Sequence, residues 1–133
     1  MSQANITTVQ SLYAAFGRGD IDTLLAGCLP DVEWEAGGRK EDFPTFGPRK
    51  GLAEVKEFFA TVAATLVFDE FSPREFYADT DKVFVLGHYR ATIKKTGRKG
   101  ASDWAHVFTF RGGKVAKFRE FTDTAMFAQA YRG

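Results

Sequence analysis

The hydrophobic period of this chain changes once, near Leu66, and that change limits the folds open to it. Before it, apolar residues recur at helical spacing: Ile6, Val9, Leu12, Tyr13 and Phe16, then Ile21, Leu24, Leu25 and Cys28, then Leu52, Val55, Phe58, Phe59 and Val62. After it, apolar residues alternate, and turn signals at Asp79-Thr80-Asp81, Thr96-Gly97-Arg98 and Gly112-Gly113 break the run. The pattern predicts strands over roughly 67–78, 82–95, 100–111 and 114–122. Pro73 should bend or bulge the first of them. Helices first and an antiparallel meander second give an α+β fold, with N-terminal helices packed in the concave face of one curved, mainly antiparallel sheet.

Smaller signals set the boundaries. Gly17-Arg18-Gly19 should stop the first helix, and Asp20 should cap a short second helix that carries Cys28 and ends at Pro30-Asp31. Val32-Glu33-Trp34-Glu35 reads as a short strand, and residues 36–50, rich in Gly and Pro, read as a loop. A last short helix starts at Asp123 and carries Met126, Phe127 and Ala130. With no linker, repeat or low-complexity segment, residues 1–133 read as one domain, long enough to form a core without metal or disulfide staples.

Charge and cysteine content narrow the function. A net charge of +1 without long runs of one sign gives nucleic acid no electrostatic hold. A single cysteine, Cys28, excludes an internal disulfide and fits a cytoplasmic protein. No basic-then-apolar leader is apparent, and no apolar run is long enough to span a bilayer, so neither nucleic acid nor membrane is an expected partner. Fourteen phenylalanines instead call for a deep interior or an apolar pocket.

The last two strands show what that pocket could hold. One face of 114–122 carries Ala116, Phe118, Glu120 and Thr122; the other carries Val115, Lys117, Arg119 and Phe121. Burying two cations costs more than burying one carboxylate, so Glu120 should face the helices. On the preceding strand Trp104, His106, Phe108 and Phe110 form the bulky, inward set. A three-residue turn at Arg111-Gly112-Gly113 would pair Phe110 with Lys114 and make His106 and Glu120 diagonal neighbours. His106 and Glu120 are therefore the candidate catalytic pair, and Trp104, Phe108, Phe118, Trp34, Tyr89, Tyr13 and Phe59 the candidate substrate-binding residues. An imidazole beside a carboxylate in an aromatic cavity can transfer protons. The alternative is a buried, satisfied His–Glu hydrogen bond that only fixes the core. For Tyr13, a hydroxyl offered to the pocket and a plain core role are equally open.

The segments "LYAAFGRGDIDTLLAGCLPDVEW", "FGPRKGLAEVKEFFA" and "HVFTFRGGKVAKFREFTDTA" together resemble the SnoaL-like, ketosteroid-isomerase-related branch of the nuclear-transport-factor-2-like (NTF2-like) superfamily. The resemblance implies a cone-shaped fold around a pocket for a small, mostly apolar ligand. Ketosteroid isomerases use an aspartate base with a tyrosine and a protonated aspartate as oxyanion hole. Here the base position matches Ala36, the oxyanion aspartate matches His106, and the tyrosine position falls at Leu12, next to Tyr13. Steroid isomerisation by that route is not expected. In SnoaL-type polyketide cyclases the acid–base residues are a histidine and an aspartate, and those positions match His106 and Glu120.

The expected function is cofactor-independent acid–base chemistry, as in an isomerase or cyclase, on a hydrophobic carbonyl compound. His106 would transfer a proton or stabilise an enolate oxygen, and Glu120 would orient it or act as base. A non-catalytic binding protein for a small hydrophobic ligand is the alternative from another class; a protein-interaction domain with a vestigial cavity is a third. No metal site is expected, because His88 and His106 should face opposite ways. The "GPRKG" segment, 47–51, reads as a solvated loop rather than an anion site, and Asp123 as a helix cap. Phe84, Leu86, Val107, Val115 and Phe121 should share the outer sheet face, which predicts a homodimer packed sheet against sheet, as is common among the relatives.

Overall fold

The structure is a computed structural model that describes residues 2–133. Its elements are α1 (Ser2–Gly17), α2 (Ile21–Ala26), β1 (Cys28–Ala36), β2 (Gly47–Lys50), α3 (Leu52–Thr65), β3 (Leu66–Asp79), β4 (Lys82–Ile93), β5 (Lys99–Arg111), β6 (Lys114–Phe121) and α4 (Thr124–Arg132). The strands form one open, curved sheet in the order β2-β1-β6-β5-β4-β3; β1 and β6 run parallel and the other neighbours antiparallel. Helix α1 packs on β3 and β4, and α3 packs on β1 and β2. The apolar helical stripes thus close over one face of the sheet, as the change of period requires. Val9, Leu12 and Ala15 of α1 and Val55, Phe58 and Phe59 of α3 are buried there.

Two boundaries differ from the sequence expectation. Helix α2 ends at Gly27, whose N–H bonds the carbonyl of Leu24, so Cys28 opens β1 and pairs with Val115 instead of sitting on the helix. Pro30 lies inside β1, where the ladder with β6 shifts register between Cys28 and Glu33 and needs no donor from it. The segment taken for a loop contains β2, which pairs Gly47 with Ala36 and Lys50 with Glu33. β2 is an edge strand, which tolerates a proline such as Pro48. Within β3 the register shifts after Pro73, as expected, and also after Phe68.

Cys28 is nevertheless a buried core residue, and burial raises its thiol to about 11. A thiol that stays protonated reacts slowly, so iodoacetamide should label Cys28 in the folded protein at about pH 8 on the order of 10²-fold more slowly than in urea-unfolded chain. Mass spectrometry of the two reactions checks this; equal rates would place the thiol outside the core.

The β5–β6 hairpin decides where the inward residues meet. Gly112 and Gly113 both have positive φ (61° and 80°), forming a two-residue turn that pairs Arg111 with Lys114. The expected three-residue turn, with Phe110 opposite Lys114, is not formed. The extra residue lies further in: Phe110 pairs with Val115 but Thr109 with Lys117, so Ala116 is a bulge. The bulge brings His106 directly opposite Glu120 and Phe108 opposite Phe118. It also turns Val115 inward. Val115 is fully buried, which removes it from the outer face; Phe84, Leu86 and Phe121 are exposed there.

Candidate active site

Four elements bring titratable groups to one end of the enclosed space: Tyr13 from α1, Tyr89 from β4, His106 from β5 and Glu120 from β6. Tyr13 follows Leu12 by one residue. Leu12 packs against Gly27, while Tyr13 points toward the sheet and stacks loosely over His106 with ring centroids 5.9 Å apart. The imidazole is buried and held on its other sides by aromatic rings. Trp104, two residues back on β5, stacks on it at 3.9 Å, and Phe118 from β6 meets it edge-on at 4.8 Å.

Both ring nitrogens of His106 are engaged. Nδ1 is 2.7 Å from the Tyr13 hydroxyl, and Nε2 is 2.8 Å from Oε2 of Glu120. The Glu120 side chain is 17 % exposed and so remains reachable from the cavity. Burial, reinforced by the Glu120 carboxylate, raises the Tyr13 phenol far above its ordinary range, and the same causes act on Tyr89. Both phenols therefore keep their protons. The Tyr89 hydroxyl donates to Thr122 Oγ1 at 2.7 Å, Thr122 donates to Ser102 Oγ at 3.3 Å, and Ser102 accepts the Asp123 N–H at 3.1 Å. Asp123 caps α4 through Met126 N, the role expected of it. This second polar chain ties the start of α4 to the sheet.

The cavity beside these groups measures about 80 Å³, room for several waters or for a small ring compound in their place. Of the candidate residues, Tyr13, Trp34, Phe59, Tyr89, Phe108 and Phe118 line it, as do His106 and Glu120. Trp104 does not. Gly87 lies opposite it on β4, and a Cβ at Gly87 would come within 2.3 Å of the indole. The indole thus lies flat over the bare strand behind His106 and serves as the imidazole's backing. Sequence reasoning missed Phe43, Thr45, Phe46 and Phe127, which close another part of the wall. Phe43 and Phe127 pack at 5.1 Å, joining the 37–46 loop to α4.

Other features resolve simply. His88 faces away from the cavity and pairs with Asp103 at 2.8 Å. Among the described residues no group of three His, Cys, Asp or Glu could hold a metal ion. Arg49, the arginine of "GPRKG", donates to the carbonyls of Pro44, Thr45 and Gly47 and lies over the Phe58 ring, so its donors hold the loop rather than an anion. Among the described residues the indole nitrogens of Trp34 and Trp104 are buried without a partner. No helix in the described residues is long and apolar enough to cross a membrane.

Comparison with known proteins gives a consistent picture. Residues 9–118 match the SnoaL-like domain. An NTF2-like protein from Burkholderia xenovorans LB400 is 32% identical, with a TM-score of 0.90 over 98% of each chain. An NTF2-like protein of unknown function from Burkholderia pseudomallei K96243 is 30% identical over the whole of both chains, with a TM-score of 0.88. TerC, co-crystallised with polyporic acid, is 31% identical over 98% of this chain and 99% of its own, with a TM-score of 0.86. No curated protein matches the chain.

Proposed function

The chain belongs to the SnoaL-like family of NTF2-like proteins, and on that footing we propose that it is a small-molecule enzyme performing cofactor-independent acid–base chemistry on a hydrophobic carbonyl compound. The observation that carries this reading is the hydrogen-bonded chain Tyr13–His106–Glu120 at the wall of an otherwise aromatic cavity. Several convergent ionisable groups in one pocket favour chemistry over passive binding. Glu120 has one carboxylate oxygen held by His106 and one left to act as base on a carbon acid. It also stands beside Ala36, its partner in the β1–β6 ladder. A base from β6 thus replaces the one that resembling isomerases carry at the Ala36 position. The Tyr13 hydroxyl closes the other end of the hydrogen-bonded chain, 2.7 Å from Nδ1 of His106. The co-crystallisation of TerC with polyporic acid supports a hydrophobic ring compound as ligand.

Deuterium exchange tests the proposal without knowledge of the true substrate. A panel of small aryl ketones and cyclic diketones is incubated with the protein in D₂O and followed by NMR. At least one member should exchange its α-hydrogens faster than in buffer, and Glu120→Gln should abolish the acceleration. Exchange at the buffer rate across the panel, or acceleration that survives in Glu120→Gln, contradicts it.

The outer sheet face supports a homodimer. Phe84, Leu86 and Phe121 are exposed on it across β4 and β6, an apolar patch of the kind that can mark an interface. Two copies packed face to face would cover it. Replacing Leu86 and Val107 together by Glu should yield a monomer in sedimentation runs in which the parent protein sediments as a dimer. A monomeric parent at micromolar concentration rules the dimer out.

A further inference from the structure

The hydrogens of the Tyr13–His106–Glu120 chain can be counted, and the count determines what the cavity can bind. With Glu120 ionised and His106 neutral, the chain holds two hydrogens for two contacts. The contact at Nε2 needs a donor, and a carboxylate has none, so Nε2–H donates to Glu120 at 2.8 Å. Nδ1 is then an acceptor, and the Tyr13 hydrogen must point to it across 2.7 Å. In this form Tyr13 presents only lone pairs to the cavity. A ligand carbonyl or oxyanion finds no donor there.

A third hydrogen reverses the arrangement. Once Nδ1 carries a hydrogen it donates to the Tyr13 oxygen, and the Tyr13 hydrogen turns outward. This holds whether the hydrogen between Nε2 and the carboxylate sits on the nitrogen or on the oxygen. Tyr13 is thus the group that touches the ligand, and His106, with neither nitrogen free, is a positioning residue that sets the direction of the Tyr13 hydrogen.

We propose that the site takes hydrophobic ligands with an acidic hydroxyl, enols or phenols, as their anions, and that each anion bound requires one hydrogen held on His106. For a ligand that arrives as a neutral acid the step balances internally. The ligand O–H bond breaks and its hydrogen passes to the Tyr13 oxygen, as Tyr13's own hydrogen passes to Nδ1. The products are a ligand anion, neutral Tyr13, an imidazolium and the Glu120 carboxylate. For a ligand that arrives as an anion, the hydrogen comes from water. The other groups facing this chain are few. Among the described residues Tyr89 on β4 is the one further titratable side chain lining the cavity, and burial keeps it protonated. The cavity-lining residues of α1 other than Tyr13, and those of α2, α3, α4, β1 and β3, are uncharged, and Val85 is the β4 residue opposite His106.

The inference rests on the cavity being a ligand site, and two probes separate the claims. One is 4-nitrophenolate; the other is its methyl ether, 4-nitroanisole, which has the same ring but no acidic hydrogen. Both are titrated into the protein between about pH 8 and pH 10. The anisole should bind with an affinity independent of pH. The dissociation constant of the phenolate should rise, approaching about tenfold per pH unit at the alkaline end, because one hydrogen must be taken up with each ligand. Tyr13→Phe and His106→Gln should each flatten that rise. If neither probe binds, the ligand site and this inference fall together. If the anisole binds and the phenolate affinity is flat with pH, or its slope persists in Tyr13→Phe, the inference alone is overturned.

Discussion

Glu120→Gln should lower turnover of a true substrate by about 10²-fold or more while changing thermal stability little. A positioned acid–base group contributes about 10²–10⁴-fold, and the carboxamide cannot accept a proton from carbon. Its carbonyl oxygen can still take the Nε2–H bond that Glu120 Oε2 takes at 2.8 Å. The structural loss is then confined to the difference between a charge-assisted and a neutral hydrogen bond, about 1 kcal/mol. His106→Ala differs in kind. It strips the acceptor from Tyr13, leaves a mostly buried carboxylate unpaired and opens a gap between Trp104 and Phe118. An unpaired buried group alone costs about 1–3 kcal/mol, so activity in that variant must be normalised to folded protein. If Glu120 were only a core hydrogen-bond partner, Glu120→Gln would leave turnover near normal, and parallel melts and rate assays would show it.

Phe118→Ala should be the most destabilising single change near the site, by about 3–5 kcal/mol, the range for truncating a buried aromatic. Phe118 stacks on Trp34 at 4.1 Å and lies 5.1 Å from Phe108 and 4.8 Å from His106, so its loss removes contacts to both neighbouring strands, β1 and β5, at once. For a chain of this size that corresponds to a fall in melting temperature on the order of 10–20 °C. Phe121→Ala is the matched control. It lies three residues further along the same strand, on the other face, and is 48% exposed. In the Leu86→Glu, Val107→Glu monomer its removal should change stability by about 0.5 kcal/mol. Similar losses for both variants, read from denaturant midpoints, would mean that the assignment of faces on β6 is wrong.

The contrast between those two phenylalanines also shows how far the sequence could be read. The change of period at Leu66, the strands after it and the inward set Trp104, His106, Phe108 and Phe110 follow from alternation, the bulkier set on the 100–111 strand marking the buried face. The cations Lys117 and Arg119 placed Glu120 inside by elimination. The bulge at Ala116 was not legible. A small residue fits either face, so the pattern of β6 reads equally well with or without an extra residue there. That ambiguity misplaced Val115 and made His106 and Glu120 diagonal rather than directly opposite. The 37–46 loop was opaque for a related reason. Its backbone follows no period, so nothing in the spacing of Phe43, Thr45 and Phe46 says that they turn back onto Phe127 and the cavity. Trp104 was assigned to the correct face, but parity cannot show that the empty space over Gly87 draws the indole out of the cavity wall. The bond between Tyr13 and His106 depends on how α1 lies on the sheet, which no local pattern encodes.

A crystal structure of the protein with 4-nitrophenolate, a single-ring ligand suited to the small cavity, tests the central claim most directly. The account predicts a ligand ring among Trp34, Phe59, Phe108 and Phe118, with a ligand oxygen about 2.6–3.2 Å from the Tyr13 hydroxyl and His106 still bridging Tyr13 and Glu120. A ligand bound on the outer sheet face, or one inside the cavity with its oxygens turned away from Tyr13 and Glu120, would contradict it.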